Sequence, residues 1–465
     1  MAIKLRAAGI EDFIILEREA EAGGTWVNNR YPGLACDVPS FLYCFSFEQK
    51  VDWTRSYANQ PEIKAYMQHC VEKYDVARHI RFGSTVESAR WDDRSVAWLI
   101  TTSTGDIVTA DIFVSALGMF NEIQWPAIPG LDHFEGEKFH TALWPEKPDF
   151  TGRRVAVVGS AASAVQLIPE VAEEAGHLTV FQRTANWVMP KQDKTFSNDE
   201  LEAFRRQPAD AQKIRRDTYD FFEELVLFDK PDMMAELERL ALENLAHVKD
   251  EGTRAKMRPT VPLGSQRPLF SNEYYPTFNK STVNLISEAI ECFTTDGITT
   301  RDGVEHPVDT IIFATGYAAN KFLSVIDVTG RDGLALREAW ADGPQAYLGI
   351  TTTGFPNLFM LYGPNTNNGS ILEMLEHQVA YVIDKIATLD LNKLAWIDVK
   401  RPVMDAYNEI IQRDIEAVVV WRSLGSRYYR ANSGRAVTQW PHNMATYEAW
   451  TRKPDMDAFE IGSRQ

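Results

Sequence analysis

The chain has 465 residues, of which 45% are hydrophobic, which is enough for two or three domains with sizeable cores. Its net charge of −17 argues against a nucleic-acid-binding surface, so we expect no nucleic acid among its partners. No apolar run approaches the ~18 residues that a membrane-spanning helix needs. The four cysteines have neither paired nor metal-ligand spacing. These features predict a cytoplasmic protein with reduced thiols, no membrane span and no metal site.

Residues 1–17 have the order helix, glycine, strand, carboxylate. Met1–Ala8 alternate apolar and basic residues at helical spacing, Gly9 ends the helix, and the apolar strand Phe13–Leu16 leads to Glu17. This order is typical of the second half of a nucleotide-binding βαβ unit. The first strand and its GxGxxG loop are not among these residues, so we expect that the chain was started at an internal methionine of a longer reading frame. The alternative is a protein that truly lacks the loop.

The segment Gly23–Asp37, GGTWVNNRYPGLACD, combines close-approach glycines, aromatic rings and a carboxylate. Trp26 and Tyr31 offer flat surfaces that can cover a planar ring. Asp37 lies in apolar surroundings next to Cys36, where a carboxylate needs a cationic or hydrogen-bonding partner. Taken alone, Asp37 could also be a turn or helix-capping residue.

This segment matches the pattern [A/G]GxWxxxx[F/Y]P[G/M]xxxD of Baeyer–Villiger monooxygenases at every fixed position. A second stretch, Phe134–Pro145 (FEGEKFHTALWP), matches the family's other fingerprint, FxGxxxHxxxWP. The chain therefore resembles this branch of the flavin-containing monooxygenases. The resemblance implies an enzyme that uses NADPH, FAD and O2 to insert one oxygen atom next to a ketone carbonyl. The product would be an ester or a lactone.

The resemblance also implies roles for individual residues. Glu17 would bind the adenosine ribose of FAD, and the backbone of Val86 would meet the adenine. Asp37 would orient the catalytic arginine, Arg267, a fixed cation for the reacting oxygens in a dry site. Gln266 stands where the family usually has lysine, which weakens the expected preference for NADPH. Further residues assigned to the flavin site are Gly24, Thr25, Trp26, Val27, Asn28, Cys36 and Tyr43.

Residues 60–118 predict one helix followed by strands. The helix is expected over Gln60–Tyr74, and β-branched alternation predicts strands over Phe82–Trp91 and Trp98–Thr102. A buried strand then runs into the turn Ala116–Gly118, which would return the chain to the FAD domain.

A second dinucleotide turn follows the apolar strand Val155–Val158 and has the form G-x-A-x-x-A. Alanine at its second position departs from the family's glycine and predicts a weaker grip on the pyrophosphate. The next strand, Leu178–Phe181, leads to Arg183 and Thr184, which favour the 2′-phosphate of NADPH. A solvated surface arginine is the alternative. The nucleotide-binding residues predicted in the turn are Gly159, Ser160, Ala161, Ser163 and Ala164.

Residues 197–256 show helical periodicity and predict a helical insertion that covers the nicotinamide domain. Strands are expected at Asp309–Tyr317 and from Pro356, and a helix over Ile371–Leu389 would point its positive end toward the flavin. The aromatic residues near the C-terminus, Trp421, Tyr428, Tyr429 and Trp440, are interpreted as core, and lining of the substrate access is the alternative.

The predicted fold class is α/β, with two Rossmann-like dinucleotide-binding domains and the helical insertion. We place the first part of the FAD-binding domain at 1–146, the NADP-binding domain at 147–320 and the second FAD-binding part at 321–465. Phe134–Pro145 would then be the hinge between them. His140 and Trp144, grouped with the catalytic residues, would sense domain position rather than act as acid–base catalysts. An ordinary linker is the alternative.

Two other functions remain open from the sequence. A heteroatom hydroxylase could make N- or S-oxides with the same cofactors. A chain unable to hold FAD could instead be a non-catalytic relic or binding protein.

Overall fold

The structure is a computed structural model that describes residues 1–423 and 428–463. Its architecture is α/β, as predicted. Within these residues, no helix combines the length and the apolar character needed to cross a membrane.

Residues 1–120 form a small parallel strand pair and most of an antiparallel layer. Gly9, with φ of 81°, ends the first helix, as predicted. The side chain of Asn59 caps the third helix by accepting from the Glu62 N–H, which confirms the helix expected from Gln60. The elements are α1 (Ala2–Ala7), β1 (Ile15–Leu16), α2 (Thr25–Asn28), α3 (Gln60–Lys73), β2 (Ile80–Arg81), β3 (Val86–Asp92), β4 (Ala97–Thr102), β5 (Ile107–Ala110) and β6 (Phe113–Ser115). β1 pairs with β2 in parallel, whereas β3, β4 and β5 are antiparallel.

The second dinucleotide unit is built on a five-stranded parallel sheet. Its elements outside the helical insertion are β7 (Glu137–His140), β8 (Arg154–Val158), α4 (Ala162–Glu174), β9 (His177–Phe181) and β10 (Val188–Met189), and then β11 (Leu269–Phe270), α9 (Tyr274–Thr277), β12 (Val283–Ile286), β13 (Ile290–Phe293), β14 (Gly297–Thr300), β15 (Glu305–Pro307) and β16 (Thr310–Phe313). The strand order is β12-β9-β8-β16-β7. Val155 and Val157 pack on α4, whereas Ala156 and Val158 face the opposite side, so both faces of β8 are covered.

The hinge predicted over Phe134–Pro145 is wrong for its central residues. β7, within this stretch, pairs in parallel with β16 from Glu137 to His140 and forms the edge of the second sheet. The two strands are far apart in sequence, so no local signal distinguished an edge strand from a connection. The domain boundaries remain a prediction, but the predicted connection belongs structurally to the second sheet.

The predicted helical insertion is confirmed over residues 197–256. Ser197 and Glu200 begin it with a reciprocal capping box. Its helices are α5 (Asn198–Arg206), α6 (Pro208–Leu225), α7 (Pro231–Leu245) and α8 (Glu251–Lys256). α7 packs Leu245 on the second unit, as expected, but α6 buries Ala211 against Leu42 and Trp53 of the first part of the chain. The insertion therefore contacts both parts.

The last part of the chain returns to the first. Its elements are β17 (Asp327–Thr329), α10 (Leu336–Ala339), β18 (Leu358–Met360), α11 (Ile371–Leu391), β19 (Trp396–Val399), α12 (Arg401–Ala417), α13 (Met444–Thr451) and β20 (Phe459–Gly462). β18 pairs in parallel with β6, and β17 pairs in parallel with β3. α11 confirms the helix predicted from Ile371. The aromatic core expected here is present, since Trp421 and Trp440 are fully buried.

Candidate functional site

A cavity of about 2840 Å³ lies between the two dinucleotide units and the last part of the chain. Pockets for one small ligand usually measure ~300–1,000 Å³, so this cavity has room for more than one. Its wall includes both glycine-rich segments, the loop that carries Arg267 and the first turns of α11. The predicted site residues on the wall are Gly24, Thr25, Trp26, Cys36, Asp37, Tyr43, Gly159, Ser160, Ala161, Ser163, Arg183, Thr184 and Arg267.

Arg267 and Asp37, predicted to act together, form a two-point ion pair on the cavity wall. Arg267 Nε donates to Asp37 Oδ2 at 2.9 Å, and Nη2 donates to Oδ1 at 2.7 Å. The Asp37 carboxylate is the main cause of the raised pKa of Arg267, whose guanidinium therefore stays charged. Nη1 makes no hydrogen bond within the described chain, so one face of the cation remains available to a ligand.

The loop around Arg267 is held by Tyr429, which the sequence analysis interpreted as core, with substrate access as the alternative. The Arg267 backbone N–H donates to the Tyr429 hydroxyl at 2.9 Å. Tyr429 is buried, and both residues line the cavity. The guanidinium is therefore fixed at its base by Tyr429 and at its tip by Asp37, which limits its freedom to reorient.

The first glycine segment contributes an aromatic wall. The Trp26 indole N–H donates to the Tyr43 hydroxyl at 3.1 Å, and the rings meet edge to face with centroids 5.8 Å apart. Burial raises the pKa of Tyr43, so its hydroxyl stays protonated at neutral pH. Asn29, which the sequence analysis missed, also lines the cavity and accepts from the Tyr317 hydroxyl at 2.9 Å.

The β8–α4 turn has the geometry of a phosphate cradle. Gly159 has φ of 125°, and a Cβ there would lie 2.3 Å from the Ala314 carbonyl oxygen, so only glycine fits. α4 begins at Ala162 with no side-chain cap and no acidic residue in its first turn. Its first N–H groups therefore remain available to an anion at the cavity.

The end of β9 adds two cations to the same wall. Arg183 is exposed toward the cavity, as is Arg301, which the sequence analysis missed because it lies on a separate hairpin. Backbone hydrogen bonds bring the two segments together: Gln182 N–H donates to Ile286, and Arg301 N–H donates to Ala289. In the part of the chain that the structure describes, neither guanidinium has a carboxylate partner.

The two fingerprint segments meet through an aromatic contact. Trp144 is buried, and its ring lies edge-on to Tyr31, with centroids 6.5 Å apart. The Tyr31 hydroxyl donates to Gln166 of α4 at 3.2 Å, and the Gln166 amide donates to the Ala35 carbonyl at 2.9 Å. A Cβ on Gly33 would lie 2.5 Å from the Gln166 carbonyl oxygen, so the backbones of the two segments approach each other directly.

His140 and Trp144 are not on the cavity wall, although we grouped them with the catalytic residues. His140 is fully buried, and its Nδ1 accepts from the Ala142 N–H at 3.0 Å. Burial lowers the pKa of His140 to about 4, so the ring is neutral near pH 7. The geometry of both residues is that of packing groups at the end of β7.

Five other predicted cofactor residues also lie off the wall. Glu17 directly follows β1, and its carboxylate accepts from the Glu19 N–H at 2.8 Å. Val86 is paired in β3 with Thr102. Ala164 is completely buried and packs in the core of the second unit, a role that fits close helix–sheet contact. The remaining two are Val27 and Asn28, in α2.

The family follows from comparison with known proteins. Residues 16–328 match the family model "Flavin-binding monooxygenase-like". A Baeyer–Villiger monooxygenase of Pseudomonas aeruginosa is 40% identical over 99% of this chain and 89% of its own length. The chain belongs to the Baeyer–Villiger monooxygenases. A second Baeyer–Villiger monooxygenase, from Streptomyces coelicolor, is 37% identical over 99% of this chain and 90% of its own length.

Solved structures agree with this family. Cyclohexanone monooxygenase from Rhodococcus sp. Phi1 bound to NADP+ superposes with a TM-score of 0.89 at 28% identity, covering 100% of this chain and 97% of that one. OTEMO in complex with FAD and NADP gives a TM-score of 0.86 at 28% identity, covering 99% and 96%. This Baeyer–Villiger monooxygenase thus has the two-unit fold that its sequence predicted.

Proposed function

We propose that this Baeyer–Villiger monooxygenase uses NADPH, FAD and O2 to convert a small ketone into an ester or a lactone. The observation that carries the proposal is the two-point Asp37–Arg267 pair on the wall of a cavity large enough for both dinucleotides. The four cysteines have no disulfide partner, which supports a reducing, cytoplasmic location.

The residues of the second unit fit a dinucleotide pyrophosphate. The close approach at Gly159 leaves no room for a side chain, and the N–H groups at the start of α4 point to the same turn. Ser160 supports the turn by donating to the Thr184 carbonyl at 3.0 Å. Ala161 lines the cavity, and a weaker pyrophosphate contact at its methyl group remains a prediction.

The ring of the flavin has matching residues in the first unit. Trp26 and Tyr43 form a rigid aromatic corner on the cavity wall, and Thr25 and Gly24 lie beside it. Bound FAD would supply the redox chemistry that joins NADPH to O2. The chain's own residues would position the ring and shield it from water.

Arg267 is the group that we assign to the reacting oxygens. A guanidinium cannot give up its proton at physiological pH, so it acts as a fixed donor and positive charge. Its free Nη1 can donate to a ketone oxygen and stabilise the negative charge that grows there. Asp37 and Tyr429 hold the cation in place, so the alignment requires little reorganisation.

Arg267→Ala tests this assignment. We expect ester formation to fall by at least ~10²–10³-fold, because one preorganised electrostatic donor contributes that much in other enzymes. FAD should stay bound, since the aromatic corner at Trp26 is unchanged. Arg258→Ala, at an exposed arginine of the same segment, is the matched control and should keep its activity. An Arg267→Ala variant with the wild-type ester rate would contradict the assignment.

Two further measurements separate the alternative functions. A ketone and a sulfide offered together distinguish ester formation from S-oxidation by product analysis. The visible spectrum of the purified protein distinguishes a flavoprotein, with absorbance at about 450 nm, from a non-catalytic relic. A colourless protein that does not take up added FAD would favour the relic.

NADPH rather than NADH is the proposed reductant, because two guanidiniums without carboxylate partners in the described chain flank the end of β9. Arg183→Gln and Arg301→Gln should each weaken 2′,5′-ADP binding by roughly 10–100-fold, as expected for one lost charge-assisted contact. Binding of 5′-AMP, which has no 2′-phosphate, should not change. Equal losses for both nucleotides would contradict a 2′-phosphate role.

A further inference from the structure

Arg215 of the helical insertion reaches out of the second unit into the first. It lies on α6 and is only 8% exposed, an unusual degree of burial for an arginine. Its Nη1 lies 3.0–3.1 Å from the carbonyl oxygens of Phe41, Leu42 and Cys44. Its Nη2 pairs with the carboxylate of Glu373.

The three carbonyls belong to the turn that carries Tyr43. These carbonyls come before and after Tyr43 in the sequence, so one guanidinium binds the backbone along the whole turn. The Phe41 carbonyl also accepts from the Cys44 thiol at 3.3 Å, but within the described residues the Leu42 and Cys44 carbonyls have Arg215 as their donor, and a buried unsatisfied carbonyl is costly. Tyr43 projects from the same turn onto the cavity wall and receives the Trp26 indole N–H.

The insertion also grips this turn with apolar contacts. Phe41 packs between Phe196, at 5.9 Å, and Phe204, at 5.2 Å between ring centroids. Phe196 precedes α5 and Phe204 lies within it. The contacts of Arg215 and of these rings come from the same insertion and end on the same turn.

Glu373 connects the cluster to α11. It lies in the first turn of this helix and lines the cavity. Burial raises the pKa of Glu373, and the neighbouring Arg215 opposes that effect. Removal of Arg215 would leave the Glu373 carboxylate, whose side chain is only 16% exposed, without its cation, which costs stability.

We propose that Arg215 is a positioning residue, through which the helical insertion holds the 41–44 turn, and with it Tyr43, against the cavity. This role goes beyond the proposed function and gives the insertion a task in the site rather than only a packing role. It predicts that loss of Arg215 loosens the turn locally, while the five-stranded sheet is unaffected.

Hydrogen exchange of the 465-residue chain, without cofactors, tests the proposal directly. The amides of Leu42 and Tyr43 both donate to the Pro39 carbonyl, so their exchange reports the state of the turn. In Arg215→Met we expect their exchange to be ~100-fold faster or more, given the cost of breaking a buried charge pair. Arg215→Lys keeps the positive charge on one nitrogen, which cannot reach the carbonyls and Glu373 together as the two guanidinium nitrogens do, and should lie between Met and wild type. Arg216→Met, at the exposed neighbour on α6, is the matched control and should behave as wild type.

A double variant separates positioning from a general loss of stability. Arg215→Met with Glu373→Leu removes both charges and so relieves the unpaired carboxylate, but it still removes the guanidinium donor from the three carbonyls. The proposal expects restored global stability with the turn still exchanging fast. Restored protection of the turn would overturn it, as would unchanged exchange in a folded Arg215→Met variant.

A kinetic experiment on the same variant rests on the proposed function. In Arg215→Met, more NADPH should be consumed per ester formed, because a loose turn admits water to the flavin side. The KM for NADPH should stay within about twofold of wild type, because none of the Arg215 contacts involves the cradle at Gly159. A wild-type protein that makes no ester would refute the proposed function, whereas the exchange experiment would still decide the role of Arg215.

Discussion

The two dinucleotide units are held in shape by different kinds of contact. In the second, five parallel strands from β12 to β7 form one continuous ladder, and the helices pack on its faces. In the first, β1 pairs only with β2, and β6 pairs only with β18, within the described residues. The four-stranded sheet β17-β3-β4-β5 also belongs to this unit, but the segment that carries Asp37 and Tyr43 lies outside all of these strands. That segment is held by side chains that reach in from elsewhere, such as Arg215 from the insertion and Gln166 from α4.

This difference shows how sensitivity to change is distributed. The hydrogen bonds of a backbone ladder persist through most side-chain substitutions, because they do not depend on residue type. A region held by side-chain contacts depends on the identity of a few residues, so a single substitution at any of them can disturb it. We therefore expect the flavin side to be disturbed most by substitution of its polar side-chain contacts. The nucleotide side should be disturbed most by substitutions that displace its backbone.

The largest effect is expected at Gly159 of the second unit, where the structure leaves no room for a side chain. Gly159→Val would push a branched carbon into the Ala314 carbonyl, because even a Cβ lies 2.3 Å from that oxygen. We expect the NADPH dissociation constant to rise at least ~100-fold, since close backbone approach is what this turn provides. Isothermal titration measures it. Gly152→Ala, at φ of 68° with nothing within 4 Å of its Cβ, is the control and should bind NADPH normally.

A buried carboxylate in the last part of the chain predicts a pH effect. Asp398 is buried in β19 and accepts from the Gly354 N–H at 3.0 and 3.1 Å. Burial raises its pKa from 3.8 to about 7, so the folded state holds this proton more tightly than the unfolded state. The stability that protonated Asp398 contributes to the folded state is fully present below pH 3.8 and is lost as the pH rises to about 7.

Asp398→Asn should remove that pH dependence. At ~1.4 kcal/mol per pKa unit, the variant should be more stable than wild type above pH 7 by up to about 4 kcal/mol. Urea unfolding at a series of pH values measures this difference. The exposed Asp390→Asn is the control, and an equal gain there would contradict the explanation.

His140 predicts the opposite slope in the second unit. Its folded pKa is lowered to about 4 from 6.5, so the unfolded state takes up the proton first as the pH falls. The stability that the neutral ring contributes is full above pH 6.5 and is lost toward pH 4, by up to ~3 kcal/mol. His140→Asn keeps an acceptor for the Ala142 N–H and should flatten this part of the pH profile. An unchanged slope would mean that other groups cause it.

The smallest expected effect lies at the contact between the units. Gln166→Leu removes the acceptor for Tyr31 and the donor to Ala35, and should destabilise the protein by roughly 2 kcal/mol, about 1 per hydrogen bond. Tyr31→Phe removes only the first of these bonds and should cost about half as much. Thermal unfolding of both variants gives the ratio. Equal losses would show that the Ala35 contact contributes nothing.

The sequence predicted the parts of the fold whose signals are local. The apolar run before Gly159, the capped helix at Gln60 and the periodicity of residues 197–256 each correspond to an element in the structure. The pairing of Asp37 with Arg267 came from the family resemblance, and the structure brings the two side chains together.

What the sequence did not predict depends on contacts between distant segments. The edge strand at His140 is defined only by its partner β16, so it was taken for a hinge. Arg301 and Tyr429 reach the cavity from other parts of the chain and have no motif of their own. Arg215 was one charged residue among many in an amphipathic helix, and only burial distinguishes it.

Gly33 sets the spacing between the two halves of the site. Because it has no side chain, the backbone of the first fingerprint rests directly on α4, with a would-be Cβ at 2.5 Å from the Gln166 carbonyl. This contact sets the distance between the Asp37–Arg267 side of the cavity and the nucleotide side. Even one methyl group would widen that gap, and a misplacement of ~1 Å costs an enzyme about 10²-fold in rate. The distance between two bound reactants would thus depend on the missing side chain of Gly33, a residue that is not on the cavity wall.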